Sequence, residues 1–159
     1  MRGPVPKLLP KKALVSTSDV DKAEWNFQPL LGPQHRLRWQ LVLSLLLQRR
    51  FHRLLEIGYG SGVFLPELAQ HCDELHAIDQ HAKTAEVARS LRDHQIEAQL
   101  RSGSALDLPY ESEMFDCIVA VSCLEYMDPF ERAATEIRRV LRRAGCLVFV
   151  TPGNSALID

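Results

Sequence analysis

The apolar run Leu54-Leu-Glu-Ile57 ends in three glycines, Gly58, Gly60 and Gly62, and then gives way to a helical pattern. Glycines at such a junction accept positive φ and let another molecule approach the backbone with no Cβ in the way. A helix opening directly behind them presents free N–H groups and the positive end of its dipole. Strand, tight turn and helix are therefore fixed at this point, and the rest of the chain must be compatible with them.

The sequence continues the alternation. Val63 to His71 reads as a helix, with Pro66 tolerable in its first turn. Leu75 to Ile78 reads as a second strand, Lys83 to His94 as a helix carrying Val87 and Leu91, and Ile96 to Leu100 as a third strand. Phe115 to Val121 is apolar throughout, like a strand covered on both faces. Pro129 to Arg142 is helical, with Ala133, Ile137, Val140 and Leu141 on one side and Gly145 at the C-cap. Leu147 to Val150 closes a set of five strands. Alternation at this spacing implies βαβ units: an α/β, Rossmann-like open sheet, mostly parallel, with helices on both faces. Ligands bind such sheets at the carboxyl ends of the strands, where strand order reverses.

Ahead of this pattern, residues 1–33 carry prolines at positions 4, 6, 10, 29 and 33 and read as an extended arm, partly disordered or docking. Trp25, Phe27, Leu30 and Leu31 make its second half too apolar for a plain linker. The domain proper is expected over 34–159, opening with a helix from Gln34 to Arg50 whose Leu37, Leu41, Leu45 and Gln48 lie along one side, with Val42 and Leu46 adjacent. Leu147 to Val150 has no charge to protect it as a sheet edge, so it should pair with another chain or lie under Trp25 to Pro33.

Composition narrows the function classes. With 46% hydrophobic residues and a net charge of −1, the chain fits one globular domain with no general attraction to nucleic acid. Its longest apolar stretch, Leu41 to Leu47, is far short of the roughly 20 residues of a membrane span. No apolar signal core follows the basic start, so a cytoplasmic location is expected. Cys72, Cys117, Cys123 and Cys146 form no C-x-x-C pair and read as free thiols. His71, His76 and His81, with Asp79, lack metal-ligand spacing, and no metal is expected.

Two features refine the ligand of the glycine turn. A dinucleotide fingerprint would place its third glycine at position 63, which is Val63. Glu56, just before the turn, would repel a pyrophosphate but favour an ammonium or sulfonium. A nicotinamide oxidoreductase is disfavoured on both counts. Asp79 closes the second strand, where a carboxylate can accept from both hydroxyls of a ribose; its bland alternative is a cap for the next helix.

With these residues in view, the chain resembles the class I S-adenosylmethionine-dependent methyltransferases, most closely their type 11 group. The resemblance covers Leu54 to Gly153 and rests on four segments in order: 54–62, Ala77-Ile-Asp79, 103–110 leading into 115–119, and 136–145. It implies S-adenosyl-L-methionine as cofactor and methyl transfer to a small-molecule acceptor. It implies that Glu56 faces the methionine ammonium, that Gly58, Tyr59, Gly60 and Gly62 line the methionine and ribose, and that Asp79 and Gln80 meet the ribose. Ser104, Ala105 and Leu106 would flank the adenine and Ser122 the sulfonium, with Glu125 and Tyr126 near the acceptor. Ser104 stands where the family commonly has an acid, and Gln80 where it often has an apolar residue. The family fold has seven strands, against five here. In-line transfer from a sulfonium needs alignment more than acid–base help, so no catalytic residue is fixed; Glu125 and Tyr126 are candidates. The alternative is a cofactor-binding but catalytically silent module acting through a partner.

Overall fold

The computed structural model describes residues 6–19, 23–30, 32–46 and 49–151, without the side chains of 33–36. Pro4, Leu31, Leu47, Gln48 and Gly153 lie outside the described residues. Helices α1 (Gly32–Leu46), α2 (Leu65–Leu68), α3 (Thr84–Asp93) and α4 (Phe130–Val140) accompany strands β1 (Phe51–Ile57), β2 (Cys72–Asp79), β3 (Gln99–Ser102), β4 (Phe115–Val121) and β5 (Leu141–Val150).

All strand pairs are parallel, in the order β3-β2-β1-β4-β5. Leu54 to Ile57 are all buried because both faces of β1 are covered. The alternation of the pleat sends neighbours to opposite cores. Leu54 packs with Val42, Leu43, Phe64, Val87 and Val119, whereas Leu55 packs with Phe115, Ile118, Ile137 and Val140. Strand order reverses between β1 and β4, so the crevice at their carboxyl ends lies beside the glycine turn.

The arm docks on its own domain. Leu9 is fully buried, and its amide donates to the Val63 carbonyl at 2.9 Å. Ser90 Oγ donates to the Ala13 carbonyl and Lys83 Nζ to that of Ser16. Residues Ala23–Phe27 form a 3₁₀ turn against α1, where Trp39 Nε1 donates to Asn26 Oδ1 at 3.2 Å. The Trp25 segment thus packs on α1, while β5 is an end strand of the sheet. The turn's contact is with α1, and α1 in turn packs against β5.

Contact with the sheet decides which side of α1 is buried, and two further expectations need correction. The buried side of α1 is Val42, Leu43 and Leu46, with Trp39 stacked on Phe64 at 3.8 Å; Leu37, Leu41 and Leu45 are exposed. Periodicity marks a stripe of leucines but does not say which stripe meets the sheet. The helix read over 63–71 shrinks to one α-helical turn, continued by single turns to His71. Its dipole is correspondingly small. Gly145 is no C-cap: α4 runs directly into β5, and Gly145 sits in a bulge between the pairs Phe115↔Leu141 and Cys117↔Cys146. A Cβ there would stand 2.9 Å from the Asp116 carbonyl, so the close crossing requires glycine.

Candidate active site

The glycine turn is held in a left-handed conformation at Gly58 (φ 78°), Gly60 (φ 49°) and Gly62 (φ 73°). Its surroundings separate the three. A Cβ on Gly58 would collide with Cys123 at 2.7 Å, so this glycine lets the loop after β4 close on β1. A Cβ on Gly62 would meet Val87 and Leu65, which makes it a packing position toward α3. The Gly58 and Gly62 amides donate to backbone carbonyls, whereas that of Gly60 donates to a side chain, Asp79 Oδ2, at 2.8 Å.

Asp79 ends β2 half-buried, and its other oxygen accepts weakly from the His81 amide at 3.3 Å. His81 continues the network: Nδ1 accepts from the Lys83 amide, and Nε2 lies 2.9 Å from the Gly60 carbonyl. Tyr59 points away from the turn, buried edge-on to His81, with its hydroxyl 3.0 Å from Thr84 Oγ1. Gln80 is exposed and donates to Ser104 Oγ at 3.2 Å. Ser104 Oγ also accepts from the Leu106 amide, so both its lone pairs are engaged and its O–H remains to donate. Ala105 is buried in the far core and Leu106 is half-buried.

Among the described residues, two buried polar atoms at the turn have no hydrogen-bond partner: Glu56 Oε2 and Ser61 Oγ. Such atoms each cost on the order of 1–3 kcal/mol until something satisfies them. Glu56 is 3% exposed, and burial, with the nearby Asp79 charge, pushes its carboxyl up to about 8. Its side chain shares a face of the sheet with Asp79, two positions deeper, since Glu56 pairs with Ala77. The pair of carboxylates and the left-handed glycines fit a ligand that is polyhydroxylated at one end and cationic at the other.

Ser122 follows β4 with φ 52°, a strained value for a non-glycine residue, and its hydroxyl accepts from Arg38 Nη1 at 2.6 Å. Arg38 therefore ties α1 to the switch point, a role nothing in its sequence surroundings signals. His81 was equally silent, although its spacing from Asp79 allows the turn it makes. Glu125 and Tyr126 lie on a 3₁₀ turn (Leu124–Tyr126), both exposed, Tyr126 by 73%. Glu125 borders an apolar groove of about 820 Å³ between α4 and β5, lined among others by Leu124, Met127, Phe130, Ile137 and Phe149. Among the described residues, no group of three His, Cys, Asp or Glu side chains is placed to hold a metal, and no helix is long and apolar enough to cross a membrane.

A family model described as a methyltransferase domain matches residues 55–149. The chain belongs to that family. The fold is the Rossmann-like one of the class I S-adenosylmethionine-dependent methyltransferases. The YcgJ protein of Bacillus subtilis superposes with a TM-score of 0.69 at 23% identity, over 74% of this chain and 51% of that one. An uncharacterised methyltransferase-like protein of Schizosaccharomyces pombe is 35% identical over 98 residues, 61% of this chain and 37% of that protein. A phosphatidylethanolamine N-methyltransferase of Cereibacter sphaeroides is 33% identical over 101 residues, 62% of this chain and 49% of that protein. This methyltransferase domain thus spans less than half the length of those two relatives. S-adenosylmethionine is the cofactor of the family, and the donors and acceptors around Gly60 suit it.

Proposed function

We propose that this methyltransferase domain binds S-adenosylmethionine across the tips of β1 and β2 and passes its methyl group to a small-molecule acceptor. The observation that carries the reading is the buried, unpartnered carboxyl of Glu56 beside a left-handed glycine turn whose Gly60 is tied to Asp79. On this reading Asp79 accepts from the ribose hydroxyls, Glu56 meets the methionine ammonium, Ser104 and Leu106 border the adenine, and Ser122 lies beside the sulfonium. When bound, the cofactor supplies an activated methyl group whose thioether leaves without acid help. The protein's work is alignment and exclusion of water. Leu9 bonds the Val63 carbonyl just behind the turn, and Arg38 holds Ser122 at the end of β4, which supports that role. On the same reading, exposed Glu125 and Tyr126 lie at the acceptor's entrance.

A second reading keeps cofactor binding without transfer, the domain serving a partner. It is favoured by the exposed end strand β5 and its apolar groove, a surface open to further chain or to a second copy. Calorimetric titration with S-adenosylmethionine, S-adenosylhomocysteine and NAD tests the cofactor: binding of NAD alone would discard both readings. Transfer of a labelled methyl group into small molecules of a cell extract separates the two. A labelled acceptor supports the enzyme, and tight binding without transfer supports the silent module.

A further inference from the structure

The side chain of Glu56 lies in an unusual setting for a group so close to an open sheet edge. Leu54, Glu56, Ala77 and Val119 belong to one layer, because β1 pairs Glu56 with Ala77 on one side and Val119 on the other. All three neighbours are apolar. Oε2 has no donor among the described residues, and the charge acting on the carboxyl is another carboxylate, Asp79. Among the described residues, no ionisable group of a neighbouring element is hydrogen-bonded to Oε2. The Cys123 thiol, from the loop after β4, is directed to the Ile57 carbonyl at 3.1 Å and is itself pushed up to about 12, burial first and Glu56 next. Arg38, from α1, donates to Ser122, and the His81 ring reaches the Gly60 carbonyl. A naked carboxylate in an apolar layer without a cation is costly, and the common escape is to hold the proton.

We propose that the Glu56 carboxyl is a charge-matching switch: seating the cationic amine of a ligand against it expels its proton, so cofactor uptake is coupled to proton release. This rests on the cofactor reading above and adds the regulation of that site. Asp79 and Glu56 share a face and are separated by two residue levels, about 7 Å of strand rise. A nucleoside whose ribose sits at Asp79 directs its 5′ substituent over β1 toward the switch point, where Glu56 waits. Before binding, the carboxyl O–H is intact; on binding that bond breaks, the electron pair stays on the carboxylate, and the proton passes to solvent. The amine end then acts as counter-ion, and a ligand without it leaves Glu56 protonated.

The test is calorimetry of the full chain at pH 6.5 in two buffers of different ionisation enthalpy, which counts protons released. S-adenosylhomocysteine and 5′-methylthioadenosine, which lacks the amino-acid end, are the probes. Close to one proton should leave per S-adenosylhomocysteine bound and none with methylthioadenosine. Affinity for the former should rise roughly tenfold per pH unit from 5.5 to 7. Glu56→Gln should flatten that dependence and abolish release. Should that variant fail to fold, infrared difference spectra of the unaltered chain give an independent readout, since the protonated carboxyl band must vanish on binding. Binding of S-adenosylhomocysteine with no buffer-dependent proton count, or with the acid band unchanged, overturns the switch while leaving the cofactor reading standing. If neither nucleoside binds, the cofactor reading itself fails, and the switch with it.

Discussion

Asp79 Oδ2 accepts a 2.8 Å hydrogen bond from the Gly60 amide, so the last residue of β2 fixes the glycine turn that follows β1. The same carboxylate is the group proposed to meet the ribose. Asp79→Ala should therefore weaken S-adenosylmethionine binding by about 1.5–3 kcal/mol, the scale of hydrogen bonds to a charged group. Asp79→Asn keeps an acceptor and should lose less. Titration of both folded variants checks this; an unchanged dissociation constant for the alanine variant removes Asp79 from the site.

Gly60 combines φ 49° with that tether, so Gly60→Val should fail twice. A β-branched residue in left-handed backbone costs about 1–2 kcal/mol of stability, and on the proposed reading its side chain stands where the cofactor approaches. Circular dichroism should show the sheet retained with a lowered melting temperature, alongside lost cofactor binding. Retained affinity would make Gly60 a turn former only.

Much of this was legible in the sequence because parallel strands buried on both faces read as apolar runs. Phe115 to Val121 matches β4 end to end, and Val87 and Leu91 are the buried pair of α3. What was missed depends on tertiary contact. Nothing local says that Leu37, Leu41 and Leu45 face outward, because α1 is apolar on more than one side. Gly145 looked like a helix cap because glycine serves bulges as well as C-caps. At the site, the positions of Gly60 and Asp79 follow from spacing, whereas Arg38 comes from an element far away in sequence.

The two leucine faces of α1 give a direct mutational contrast. Leu43 is fully buried, and Leu43→Ala should cost about 2–5 kcal/mol of unfolding free energy. Leu41 is half exposed, and Leu41→Ser should stay within about 0.5 kcal/mol of the parent. Denaturant unfolding of the two variants decides it; a reversed order would mean that α1 is rotated about its axis.

Two buried groups set opposing pH dependences. Burial lowers the His76 pKa below 6.5 against the upward pull of Glu74, so the folded chain binds fewer protons there than the unfolded one. Its contribution is full above pH 6.5 and is lost as pH falls below that value toward the folded pKa. Glu56, raised to about 8, works the other way: stability of the ligand-free chain falls as pH climbs from 4.5 to about 8. His76→Phe should remove the loss that sets in below pH 6.5, and Glu56→Gln the loss as pH climbs from 4.5 to about 8. Thermal melts across both windows measure each slope as a difference from the parent. Parallel curves for the parent and either variant would show that the residue's protonation is not linked to folding.

The last expectation concerns β5. It is the end strand, its segment Leu147 to Val150 is uncharged, and Phe149 is 54% exposed beside the apolar groove of α4. An edge of this kind offers unpaired backbone groups and apolar side chains together, the combination that invites another strand. Phe149→Lys places a charge in the middle of that edge without touching the buried face, where Val148 packs. The variant should therefore keep its melting temperature while reducing concentration-dependent association of the chain. Deleting residues 1–19 is the control, because the arm binds over α2 and α3 rather than β5. That deletion should lower stability through loss of buried Leu9 and leave edge association in place. Sedimentation velocity across a concentration series separates the two effects. A parent chain that stays monomeric at high concentration would show that the edge, although open, is too short or too twisted to pair.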